Sequence, residues 1–147
     1  GIDVEELIID AATAHLIRRP ADFDVLVTTN MYGDILSDEC AELSGGLGLG
    51  GSINAGDAVA IAQAAHGSAP DIAGQNKANP SALMVSVAML LDWMGGRTGA
   101  NSMTDAAQAL QVAIADSLSD AAVRTGDLGG QGTTEAFGAA VAARIKG

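Results

Sequence analysis

At 147 residues the chain fits one domain or two unequal lobes; it is 48% hydrophobic, ample for a packed core, yet only 3% aromatic, so that core must be aliphatic. A formal charge of −11, with seven Lys and Arg in no basic cluster, argues against a nucleic-acid partner, whose phosphates would need neutralising. One cysteine, Cys40, excludes an internal disulfide framework and points to a reducing cytoplasm; no signal peptide is visible, and the longest apolar helix candidate, Ala82 to Met94, is too short for a bilayer and is interrupted by Ser86 and Asp92.

Taken in order, Val4, Leu7, Ile8, Ala11 and Ala12 recur at helical spacing behind an acidic start, and Pro20 closes that region. Phe23 to Thr29 is rich in β-branched residues and predicts a buried strand, followed by a turn over Asn30 to Gly33 and a helix from Asp34 to Leu43. Ser44 to Ser52 is a glycine-rich joint and the best boundary between two lobes. Ala58 to Ala65 is a short apolar stretch that could be strand or helix. His66 to Asn79 is polar and loop-like. Asn79-Pro80 predicts a helix start, with Asn as cap and Pro in the first turn; that helix should stop at Gly95-Gly96. Ser102 and Asp105 have capping-box spacing before a helix over about 103–122, and a last helix spans about 133–146 after a loop holding Gly126, Gly129, Gly130 and Gly132.

Gly46-x-Gly48-x-x-Gly51 matches the dinucleotide pattern GxGxxG, but it follows a helix and leads away from one. The pattern has meaning only between a strand and the helix whose amino end holds the pyrophosphate, so a Rossmann fold is rejected and the run reads as a hinge or a loop that lets a ligand approach. Asp34 and Asp38 are four residues apart and therefore share a helix face. Two carboxylates so close repel unless a cation or hydrogen-bond donors intervene, and hard oxygen ligands suit Mg2+ or Mn2+. On spacing alone the blander reading, acids that cap or solvate a first turn, is the commoner one.

The stretch from Asn30 through Asp34 to Asp38, together with His66-Gly67-Ser68-Ala69-Pro70-Asp71-Ile72-Ala73-Gly74 and Ala78-Asn79-Pro80, resembles the isocitrate and isopropylmalate dehydrogenase family, the β-decarboxylating dehydrogenases. The likeness runs from Ile9-Asp10-Ala11 to Gly132-Thr133-Thr134-Glu135-Ala136-Phe137. It implies an α/β, non-Rossmann fold of the isopropylmalate dehydrogenase type, of which this chain would be the carboxy-terminal portion of a two-lobed subunit. Residues 1–44 would belong to the smaller, dimer-forming lobe and 45–147 to the larger, NAD-binding lobe.

By the same resemblance Asp34 and Asp38 would bind the divalent metal with a 2-hydroxy acid, and Asp10 would reach the site from the other subunit of a homodimer. His66, Gly67, Ser68, Ala69, Pro70, Asp71 and Ile72 would form the adenosine-binding loop, with Asn79 and Asp127 close to the cofactor. A carboxylate at Asp71 favours NAD over NADP, since it accepts hydrogen bonds from ribose hydroxyls and repels a 2′-phosphate. The implied reaction is metal-dependent oxidative decarboxylation of a 3-substituted malate, 3-isopropylmalate or isocitrate, with Tyr32 leaning towards the isocitrate type. The family's substrate arginines and its catalytic tyrosine and lysine would lie upstream of residue 1, so no catalytic residue is assigned within the chain, and alone it should be inactive and should aggregate or be only partly ordered. Gln63 stands where relatives usually have Glu, and Gly51-Ser52-Ile53-Asn54 where many have Pro-Ser-Ala-Asn. These departures keep open a non-catalytic regulatory or structural subunit of a hetero-oligomeric dehydrogenase.

Overall fold

The structure, a computed structural model, describes residues 1–146. Five α-helices and one β-hairpin make up the regular elements: α1 (Ile9–Arg18), α2 (Asn30–Leu43), β1 (Gly51–Ala55), β2 (Ala60–Ala64), α3 (Ser81–Thr98), α4 (Asn101–Ser119) and α5 (Thr134–Lys146). Short 3-10 turns cover Pro20–Asp22, Leu47–Leu49, Pro70–Ile72 and Gly126–Leu128.

The core sits among α3, α4 and α5. Ala113 and Ile114 of α4 pack with Phe137 and Val141 of α5, and Met84 and Val85 of α3 close over them. With a single buried aromatic ring, at Phe137, this is the aliphatic core that the composition requires. β1 and β2 pair antiparallel, with Ile53 opposite Ala62, and the hairpin lies on α3. Its anchor is Ser86, fully buried on α3: the hydroxyl accepts from the Ser52 amide at 3.1 Å and lies 2.7 Å from the Gln63 carbonyl and 2.8 Å from that of Ala82. A buried hydroxyl costs stability unless it is bonded, and here it staples both strands to one helix. At the far end, Arg97 stacks 5.0 Å from the Trp93 ring centre and donates to the Asp57 carbonyl in the hairpin turn.

Several expectations are met and several are corrected. The apolar stretch after Gly56 is a strand. Asn79 Oδ1 accepts from the Ser81 amide at 3.0 Å, so the expected side-chain bond forms, but the cap residue is Pro80 and the helix starts at Ser81, one residue later than expected. α3, however, runs past Gly95-Gly96 to Thr98, ending on Gly99 in the left-handed region. Gly95 is a contact rather than a stop: a Cβ there would stand 2.4 Å from Thr104 Oγ1 on α4. α4 begins at Asn101, two residues earlier than expected, which places Ser102 inside the helix and leaves the Ser102–Asp105 capping box unformed. The expected turn at Asn30 to Gly33 is already the first turn of α2.

The largest correction is Phe23 to Thr29, which is not a strand. A strand exists only against a partner, and among the described residues no strand pairs with this one. Val25 and Val27 are accordingly 79% and 92% exposed. The first residues behave similarly: α1 starts only at Ile9, while Ile2, Val4 and Ile8 stand in solvent. α1 packs on α2, and its buried residues, Ala12 and Leu16, are on the apolar spacing that predicted it.

Candidate functional site

Two groups of residues carry the chemistry. The first lies between the loop before α3 and the loop before α5. The 66–72 loop leaves β2 exposed to solvent; His66 Nδ1 lies 2.9 Å from the Gly67 carbonyl, and Ala69 is left-handed (φ 44°, ψ 60°) just before Pro70. That conformation is disfavoured for a residue with a Cβ, more so before proline, and it turns the chain sharply into the Pro70–Ile72 turn. Gln75 holds the turn from below, its Nε2 donating to the Asp71 carbonyl at 2.7 Å, while the Asp71 carboxylate stays in solvent.

Behind this loop Asn79 and Asp127 meet. Asn79, 8% exposed, donates from Nδ2 to Asp127 Oδ2 at 2.9 Å, while its Oδ1 accepts from the Ser81 amide. Both ends of the amide are engaged, one N–H and the oxygen, so its orientation is set by both partners. Asp127 lines a cleft of about 380 Å³ together with Gly126, Gly130, Gln131, Gly132, Ile72 and Lys77. Gly130 and Gly132 cannot carry side chains, since a Cβ on either would fall 1.9 Å from the carbonyl oxygen of Arg124 or Val123. The cleft is thus lined largely by glycine, with apolar Ile72, one acid and one base, a lining that offers peptide groups and two opposite charges to a polar ligand.

Of the residues predicted to bind a cofactor, the structure unites Ile72, Asn79 and Asp127. His66 to Asp71 form one exposed loop beside them. Three contributors were not foreseen. Asn76, left-handed at φ 57°, accepts from the Thr134 and Glu135 amides through its carbonyl and Oδ1, at 3.1 and 3.0 Å, and donates to the Glu135 carboxylate at 3.3 Å. Lys77 lines the cleft, and Thr134 Oγ1 donates to the Ala78 carbonyl at 2.5 Å. The segment that carries Asn79 is therefore buttoned to the start of α5. Only the polar density of 75–79 hinted at this.

The second group is the acidic pair. Asp34 and Asp38 are both exposed on one face of α2, and neither meets a cation among the described residues. Asp10, in the first turn of α1, is also exposed, and its carboxylate accepts from the Ala11 amide at 2.8 Å. No group of three metal-ligating side chains occurs among the described residues, so one chain does not bring Asp10, Asp34 and Asp38 together. The donor set still fits a hard divalent cation, because two open carboxylates leave room for water, a substrate oxygen and a further acid.

The chain thus carries an exposed acidic pair on one helix and, elsewhere, a glycine-lined cleft beside a bonded Asn–Asp pair. The family model for isocitrate/isopropylmalate dehydrogenase matches residues 1–141. The chain is 44% identical over 145 residues to a Caenorhabditis elegans protein named as probable isocitrate dehydrogenase [NAD] subunit alpha, mitochondrial, covering 99% of the chain and 38% of that protein. It is 47% identical to the isocitrate/homoisocitrate dehydrogenase of Thermus thermophilus, again over 99% of the chain and 41% of the relative. The crystal structure of isocitrate dehydrogenase from Methylococcus capsulatus superposes with a TM-score of 0.88 at 39% identity, covering 96% of this chain and 40% of that one. The chain belongs to the isocitrate/isopropylmalate dehydrogenase family of β-decarboxylating dehydrogenases, and its fold is of that type. It spans about two fifths of the length of these relatives. Among the described residues no helix is long and apolar enough to cross a membrane, and relatives include a protein named as mitochondrial, a compartment the cysteine usage did not suggest.

Proposed function

We propose that this chain is the carboxy-terminal part of a metal-dependent, NAD-linked dehydrogenase that oxidises and decarboxylates a 3-substituted malate, isocitrate or 3-isopropylmalate. The observation that carries this reading is the Asn79–Asp127 bond at 2.9 Å, which joins two residues 48 apart, both expected at the cofactor, with Asp127 lining a cleft. Relatives that match about nine tenths or more of the chain are named for isocitrate, homoisocitrate and 3-isopropylmalate, which supports a 3-substituted malate as the substrate class.

In this reading residues 1–44 bring the metal aspartates and the dimer contact, and residues 45–147 bring the cofactor cleft. Asp34 and Asp38 hold Mg2+ or Mn2+ from one chain, and Asp10 completes the set from the partner of a homodimer. The bound cation supplies Lewis-acid polarisation of the oxygen on the reacting carbon and steadies the charge left as carbon dioxide departs. Asp71 would accept hydrogen bonds from the ribose hydroxyls and disfavour a 2′-phosphate; Asp127, its Oδ2 held by Asn79, keeps acceptor capacity for a cofactor close to the cleft that it lines. Retention of Asp10, Asp34 and Asp38 supports a catalytic over a regulatory subunit, which has no chemical need of all three.

The full-length protein, given Mn2+ and NAD, should reduce the cofactor with isocitrate or 3-isopropylmalate and stop on chelation. No turnover with either acid would overturn the proposal in favour of the regulatory subunit that Gln63 leaves open.

A further inference from the structure

We propose that Gly48 is a positioning residue through which the segment leaving α2 sets the geometry of the Asn79–Asp127 pair. The proposal rests on the reading of that pair as cofactor-binding. The glycine-rich run had the appearance of a hinge, and Gly45 and Gly46 turn the chain out of α2 at φ 126° and 138°. The segment is nonetheless anchored. Leu47 donates its amide to Glu42 Oε1 at 3.1 Å, and the Gly46 amide is bonded to the Ala41 carbonyl at 2.9 Å, so the segment is tied to the last turn of α2, one turn beyond Asp38. Its other side rests on the pair: a Cβ at Gly48 would stand 2.9 Å from Asn79 Nδ2, 2.9 Å from Asp127 Oδ2 and 3.0 Å from Asn79 Cβ.

The identity of the first two atoms matters. Both are the outer ends of side chains, so a methyl group at this position presses first on the Asn79–Asp127 bond, while the tight contact with Asn79 Cβ requires a shift of a few tenths of an ångström. Gly48 is thus the point at which one short segment, fixed to the helix of the acidic pair, touches the cofactor side chains. A shift of α2 is transmitted to the Asn79–Asp127 pair through contact, without an intervening side chain at residue 48.

The test uses the full-length enzyme with Gly48→Ala, and Gly96→Ala as control, since a Cβ at Gly96 meets nothing within 4 Å. Gly48→Ala should raise KM for NAD about 10-fold or more, in keeping with the cost of small misplacements in a preorganised site, with a smaller change in KM for the hydroxy acid. Gly96→Ala should match wild type. Combined with Asn79→Ala, which removes the amide that the methyl group would displace and with it the bond to Asp127, the Gly48→Ala effect should largely vanish, a non-additivity expected of residues in contact. An unchanged KM for NAD, or additive effects in the double variant, would overturn the proposal while leaving the cofactor reading intact. A wild-type enzyme that does not use NAD would overturn both. Should Gly48→Ala fail to fold, hydrogen exchange on the wild-type enzyme decides: NAD alone should slow amide exchange across residues 44–50, and unaltered exchange there would refute the coupling.

Discussion

Asp71 stands on the exposed loop with its carbonyl tied to Gln75 and its carboxylate in solvent, so changing it alters charge more than structure. Asp71→Lys in the full-length enzyme should therefore lower the preference for NAD over NADP by about 10- to 100-fold, the scale of a charge-assisted hydrogen bond lost and a repulsion removed, with little change in Tm. Cofactor preference from kcat/KM for the two nucleotides is the check. An unaltered ratio would remove Asp71 from the ribose. That aspartate, like Asp34 and Asp38, was legible in the sequence because its setting is a contiguous motif. Gly48 was not: its role comes from touching Asn79 and Asp127, which are remote in sequence, and by pattern alone it was one more hinge glycine.

Among the elements, the start of α5 is held from outside. Thr133 caps it locally, its Oγ1 accepting from the Ala136 amide at 3.1 Å, but the two amides ahead of that one, Thr134 and Glu135, bond to Asn76 in a loop up to 59 residues away. Asn76→Ala should destabilise the protein by about 2 kcal/mol, combining lost cap bonds with the cost of a left-handed residue other than Gly or Asn. Asn76→Gly, which keeps the backbone conformation accessible, should cost less, and urea unfolding of the two variants separates the contributions. Equal losses would mean that the side-chain bonds alone matter. Most helices were readable from their apolar period and their Gly and Pro punctuation. The exception at 23–29 is physical: β-branched residues record a preference for extended backbone, but a strand also needs a neighbour, and a run of residues carries no statement of who that neighbour is.

At the scale of the whole molecule the apolar surface is uneven. The α3–α4–α5 core is closed, whereas Ile2, Val4, Ile8, Val25 and Val27 stand out from the first 29 residues and Leu83 and Val87 from α3. Soluble chains seldom leave so much apolar surface uncovered, and the unpaired extended segment at 23–29 is open to pairing with another strand. The isolated 147-residue chain should accordingly melt broadly, with hydrogen-exchange protection confined to α3, α4 and α5; one sharp transition with protected amides in residues 23–29 would contradict this. The account as a whole depends on a cation gripped by acids of two chains. Calorimetric titration of Mn2+ into the full-length protein, with the hydroxy acid present, tests that most directly for wild type and for Asp10→Asn, Asp34→Asn and Asp38→Asn. Each substitution should weaken uptake at least about 100-fold, beyond what outer-shell partners of a metal site usually cost, while the wild type binds. Wild-type protein that takes up no metal, or variants that bind as it does, would contradict the account.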